Sequence, residues 1–151
     1  MTRPSAEPVT HPDAGRRRGA GESLGDALAA ARLACLERFA AAWNARDVEA
    51  LMACMADDCA FQASAGPDAD GLRHEGAAAV RAAYEAVFEQ FPRAAWTRAS
   101  HRLMGDHGIS SWRFVGTDRR GVSIEVLGCD LFTFEGERIA LKDSYRKSRT
   151  G

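Results

Sequence analysis

Two aspartates near the C-terminal end of the chain stand where carboxylates are unusual. In "VSIEVLGCDLFTF", residues 122–134, the even positions are Val122, Ile124, Val126, Gly128, Asp130, Phe132 and Phe134. Side chains alternate along a strand, so one face of this segment is apolar apart from Asp130. In "RIALKDSYRK", residues 138–147, Ile139, Leu141, Asp143 and Tyr145 share a face, again with one acid in an apolar row. Arg138, Ala140, Lys142, Ser144 and Arg146 share the other. The short "EGE" connection predicts a hairpin that keeps Phe134 and Ile139 on one side. Counting outward sets Asp130 against Asp143, or one diagonal step away, with Cβ atoms about 5–8 Å apart. Two carboxyls that close in an apolar setting cannot both ionise cheaply. A pair sharing one proton can act as general acid and general base. Asp130 and Asp143 are therefore the candidate catalytic residues. The structural alternative is that each accepts backbone hydrogen bonds or pairs with Arg98, Arg102 or His101.

The rest of the chain must position such a pair. Residues 1–22 hold three of the five prolines and no hydrophobic period, which predicts a disordered tail. A folded domain is expected over 23–151. Residues 23–44 carry a helical stripe, Leu28, Cys35, Phe39 and Trp43, and Asp47 can cap a short second helix. "DDCAFQAS" predicts a first strand over 58–64, with Cys59, Phe61 and Ala63 on one face. "GPDADGLRHEG" predicts a loop, and residues 76–91 a third helix ended by Pro92. Four strands follow, at 94–104, 109–117, 122–134 and 138–147, joined by short turns as an antiparallel meander. Helices first and strands after predict an α+β fold, with three helices packed on one face of a curved antiparallel sheet.

With 151 residues, 46% hydrophobic and 27% charged, the chain has the size and composition of one globular domain. A net charge of −1 gives no bulk attraction for nucleic acid or a membrane surface, so neither partner is expected. No apolar run reaches the roughly 18 residues of a spanning helix, and a cytoplasmic location is expected. Cys35, Cys54, Cys59 and Cys129 form no CxxC pair and no Cys/His ligand spacing. They read as reduced thiols, and no metal is expected. No phosphate loop or nucleophile elbow is present, and no organic cofactor is expected. The candidates to line a pocket are Phe39, Trp43, Phe61, Tyr84, Trp112, Phe132 and Tyr145. His74 stands near a possible cavity mouth, and His101 and His107 lie on or beside a strand end.

The segments "FAAAWNARDVEALMACMADDCAF", "HEGAAAVRAAYEAVF", "WRFVGT" and "GCDLFTFEGERIALKDSYRK" resemble the NTF2-like superfamily, and within it the SnoaL-like branch of polyketide cyclases and ketosteroid isomerase relatives. The resemblance spans residues 24–147. It implies a cone-shaped α+β barrel with a pocket between helices and sheet, and a homodimer through the outer sheet face. There Leu127, Cys129 and Leu131 also suggest a covered patch. Asp130 falls where the isomerase relatives keep an inward acid that hydrogen-bonds the substrate oxygen. Their helical Tyr is replaced by Phe39 and their proton-shuttling Asp by Ala63. The Arg of the limonene epoxide hydrolase set is replaced by Gly128. The expected function is acid–base chemistry of the isomerase, cyclase or hydrolase type on a small, apolar, carbonyl-bearing ligand. The alternatives are a non-catalytic binding or dimerisation module and, further off, an adaptor like the transport factor.

Overall fold

The computed structural model describes residues 20–151, with side chains from Leu24 onward. Most of the expected tail, residues 1–19, lies outside the described residues. Helix α1 spans Ala20–Ala45, so it begins ahead of the expected start at residue 23. Its buried stripe is Cys35, Leu36, Phe39, Ala42 and Trp43. Helix α2 spans Val48–Cys54, and the Asp47 carboxylate accepts from the Ala50 amide at 3.0 Å, the expected N-cap. Strand β1 (Met55–Gln62) follows α2 without a loop. It starts three residues before the expected strand, because the pattern of Met55 and Ala56 suits the end of a helix equally well. Strand β2 is only Arg73–Glu75, inside the segment expected to be loop. Three residues are too few to show an alternation. Helix α3 is Ala77–Gln90. Strands β3 (Arg93–Met104), β4 (His107–Thr117), β5 (Ser123–Glu135) and β6 (Arg138–Arg146) match the expected four within a few residues.

The six strands form one sheet in the order β2-β1-β6-β5-β4-β3. The β3–β6 meander is antiparallel as expected, but β1 joins the edge of β6 parallel to it, so the sheet is mixed. The architecture is α+β, three helices on a curved sheet, of the NTF2-like or cystatin-like type. No helix among the described residues is long and apolar enough to cross a membrane.

Polar ties hold the helices over the sheet. Arg32 on α1 donates to the Gly136 and Gly105 carbonyls at 2.8 and 2.9 Å, reaching both neighbouring hairpin turns. Asn44 exchanges two 2.9 Å hydrogen bonds with the backbone of Trp96. Arg46 donates to the carbonyls of Phe88 and Phe91, which the end of α3 leaves without helical partners. The core beneath is aromatic. Phe39, Trp43, Phe61 and Tyr84 meet mostly edge-on, with ring centroids 4.9–6.1 Å apart.

Two bulges break the alternation of the long strands. In β3 the pairing slips between Thr97 and Ser100, at Arg98, whose φ is +54°. In β6 it slips at Ala140: Phe134 pairs with Ile139, but Thr133 pairs with Leu141. An extra residue on one strand moves everything beyond it to the opposite face. The hairpin itself is as expected, a two-residue turn at Gly136 and Glu137, with Gly136 at φ +59°. Beyond the bulge, however, Lys142, Ser144 and Arg146 face inward, while Asp143 and Tyr145 face outward. Asp143 pairs with Leu131 on the outer face, and Asp130 stands opposite Ser144.

This parity predicts two unequal substitutions. Ile139→Ala, at a fully buried site, should cost about 2–4 kcal/mol by urea denaturation. Tyr145→Ala, in the same row by plain alternation, should cost under about 1 kcal/mol. Equal costs would contradict the bulge.

Candidate functional site

Between the helices and the inner sheet face lies a cavity of about 420 Å³. Five of the seven residues expected to line a pocket do so: Phe39 and Trp43 from α1, Phe61 from β1, Trp112 from β4 and Phe132 from β5. Tyr84 is fully buried behind this wall, where its hydroxyl contacts the Met55 sulfur at 3.5 Å. Burial, and then the nearby Asp130 carboxylate, pushes its phenol well above the ordinary range. Tyr145 is outside, 53% exposed, and donates to Asp143 Oδ2 at 3.0 Å.

The structure does not bring Asp130 and Asp143 together, because the Ala140 bulge turned the last strand over. The partner of Asp130 is a cation. Asp130 and Lys142 are 6% and 5% exposed, and Lys142 Nζ lies 3.0 Å from Asp130 Oδ1. Lys142 also donates to Ser144 Oγ at 2.6 Å, and the Ser144 hydroxyl donates to Asp130 Oδ1 at 2.6 Å. Trp112 Nε1 donates to Asp130 Oδ2 at 2.9 Å. The ammonium lies 4.5 Å from the centre of the Phe61 ring and 5.5 Å from that of Trp43. Ring faces and a carboxylate thus replace the water that a buried lysine loses.

The Trp112 contact depends on a glycine. Trp112 is directly opposite Gly128, and a Cβ on Gly128 would come within 2.3 Å of the indole. With no side chain there, the ring lies across the strand and its N–H reaches the next row.

That next row crosses four strands. His101 on β3, Ser110 on β4, Asp130 on β5 and Ser144 on β6 are successive opposite partners. His101 Nδ1 and Ser110 Oγ are 2.7 Å apart. The Arg98 bulge is what points both Trp96 and His101 inward, since they are five residues apart and unbroken alternation would separate them. Burial holds the His101 imidazolium below its ordinary value of 6.5, opposed weakly by Glu37, so the ring is neutral at pH 7. Arg146 completes the polar lining, opposite Gly128 and over the Phe114 ring at 5.7 Å. His74 also lines the cavity, stacked on Phe61.

Sequence reasoning named Asp130 and missed Lys142, Ser144 and Arg146, which it placed on the outer face. The available signal was their shared parity: three polar residues at alternate positions form a set as regular as the one chosen. Among the described residues no group of three His, Cys, Asp or Glu side chains could hold a metal ion.

The arrangement has a donor-rich pole at Lys142 and Ser144, a neutral imidazole three strands away, and aromatic walls between. It can grip a ligand oxygen with a buried ammonium, stabilise negative charge there, and accept a proton at the far wall.

A family model described as the SnoaL-like domain matches residues 36–142. No curated protein matches the chain. Among solved structures, a proposed polyketide cyclase of Xanthomonas campestris pv. campestris superposes with a TM-score of 0.68 at 18% identity, covering 76% of this chain and 89% of that one. An NTF2-like protein of unknown function from Mesorhizobium loti gives 0.65 at 25% identity, with 78% and 92% covered. TerC, co-crystallised with polyporic acid, gives 0.66 at 14% identity, with 78% and 92% covered. These likenesses show the fold.

Two measurements check the site. Lys142→Met leaves Asp130 buried without its counter-charge, and should cost about 3–5 kcal/mol at pH 7. Adding Asp130→Leu should recover most of that loss; an additive double variant would show that the groups are uncoupled. As pH falls below about 6.5, the unfolded chain binds a proton that folded His101 resists, so stability falls. His101→Gln should flatten that acid-side decline in thermal melts.

Proposed function

Because the chain belongs to the SnoaL-like domain family, we propose that its cavity binds a flat, conjugated, carbonyl-bearing molecule and transfers a proton on it. The observation that carries this reading is the buried Lys142–Asp130 pair inside an aromatic-walled cavity. The Lys142 ammonium has a third N–H beyond those directed at Asp130 and Ser144. That donor hydrogen-bonds the ligand carbonyl and stabilises the enolate oxygen as charge develops. Asp130 is here a positioning group, because its two oxygens already accept from Trp112, Ser144 and Lys142. The proton acceptor is the neutral imidazole of His101, oriented by Ser110. Lys142 and His101 stand three strands apart. The C–H that loses its proton and the oxygen that gains charge are therefore separated on the ligand, which calls for a conjugated ring between them. The proposed polyketide cyclase and the TerC complex with polyporic acid are consistent with such a ligand.

The saturation of Asp130 favours a second reading, in which the pocket binds the same ligand without turning it over. Anthrone separates the two, since its carbonyl and its exchangeable CH₂ lie at opposite edges of one ring. Binding is read by quenching of the cavity tryptophans, and chemistry by deuterium exchange at the CH₂ under argon. Catalysed exchange, lost in Lys142→Met and His101→Gln, supports the enzyme. Tight binding without exchange supports the module, and no binding of anthrone or its hydroxylated analogues sinks both.

We also propose that two copies pair through the outer sheet face. No helix among the described residues covers that face, and Ile109, Leu127, Leu131 and Tyr145 are 38–55% exposed on it. Ile109 stands directly opposite Leu131. Leu131→Arg should convert a sedimenting dimer to monomer, and a wild-type chain that sediments as a monomer would refute the pairing.

A further inference from the structure

The charges that face the cavity do not balance. Asp130 is the only acid among the described residues that line it, and Lys142 neutralises it. Arg146 is the second lining cation, and it has no carboxylate within ion-pair distance among the described residues. It is exposed where the cavity meets solvent, as are Leu72 and Gln90 of the same lining. The opposite residue, Gly128, offers no side chain to occupy the guanidinium. The face of Phe114, 5.7 Å away, supports the plane of the group but supplies no acceptor. The mouth thus carries a cation whose five N–H donors lack an anion among the described residues.

We infer that the ligand is an anion, and that Arg146 binds its carboxylate, or an equivalent planar oxyanion, at the cavity mouth. This rests on the reading of the cavity as a ligand site, and adds to it the ligand's charge and polarity. Arg146 and Lys142 lie four residues apart on one strand, so their Cα atoms are separated by roughly 13 Å. One ligand spans both when its carboxylate and its carbonyl lie at opposite ends of a fused-ring body. That body rests on Trp112 and Phe114. The carboxylate enters last and stays at the rim, where the planar guanidinium holds it with two parallel hydrogen bonds. The inner oxygen takes Lys142, whose charge is already balanced by Asp130, so that the ammonium competes little for the carboxylate. Arg146 selects and orients the ligand in this scheme, and touches no reacting atom.

Three probes test the inference by titration of tryptophan fluorescence: 2-naphthoate, its neutral methyl ester, and anthrone. The wild-type protein should bind 2-naphthoate about tenfold more tightly than the ester, the size of a charge-assisted bidentate contact at a partly exposed site. Added salt should erode that preference. Arg146→Gln should weaken 2-naphthoate by a similar factor and leave the ester and anthrone unchanged. Arg146→Lys should recover only part of the loss, because an ammonium cannot pair both oxygens in one plane. Equal wild-type affinity for acid and ester overturns the inference. So does an Arg146→Gln variant that weakens all three probes alike, which would make the residue a packing element. If anthrone binds and 2-naphthoate does not, the anionic class is wrong while the cavity reading stands. If none of the three binds, the cavity reading itself fails.

Discussion

The structure turns on burying one ion pair in an aromatic cavity. Moving a carboxylate and an ammonium out of water costs several kcal/mol per ion even after relaxation, and their mutual attraction offsets this only when the remaining donors and acceptors are satisfied. Asp130 and Lys142 meet that condition. Both carboxylate oxygens accept hydrogen bonds, the ammonium bridges Asp130 and Ser144, and its remaining face looks onto Phe61 and Trp43. The pair therefore fixes the surrounding side chains as much as they fix it. Ser144 must be inward, Trp112 must lie flat across Gly128, and α1 must present Trp43 at the right height.

Those demands are met by departures from regular strands. A bulge at Ala140 sets Lys142, Ser144 and Arg146 on the inner face, and a bulge at Arg98 brings Trp96 and His101 onto it together. Without the first, the sheet would offer two acids to the cavity and no cation. Bulges also bend and twist the strand that carries them, so the devices that choose the facing residues also help curve the sheet around the space. Polar ties hold the helices over the cavity. Arg32 holds α1 to two hairpin turns and Asn44 holds it to β3, while Arg46 ties the end of α3 to the same corner.

The chemical character of the site follows from the placement of charge. One end is a neutralised pair in which the ammonium keeps one N–H beyond those directed at Asp130 and Ser144. The far wall carries an imidazole that burial keeps neutral. The rim carries a cation with no carboxylate partner among the described residues. A ligand that complements all three is flat, oxygenated and anionic at the end that faces solvent. The outer face of the same sheet has the opposite character, with Ile109, Leu131 and Tyr145 exposed beside Asp143. Beyond its bulge, β6 thus turns residues of different character to the two faces of the sheet.

The sequence by itself determined the architecture and one member of the site. Periodicity placed α1, α3 and β3 to β6 within a few residues, because each is long enough for its period to repeat. The motifs carried the family, and Asp130 was visible because β5 runs unbroken and shows a single polar residue in an apolar row. Five of the seven expected lining aromatics followed from the same counting. What only the tertiary structure decided was everything beyond a bulge. No residue type marks Ala140 as an extra residue, and a slip of one exchanges the two faces of the strand, so Asp143 and Tyr145 were traded for Lys142 and Ser144. The partner of a buried charge is set by register between strands, and register is a property of the assembled sheet.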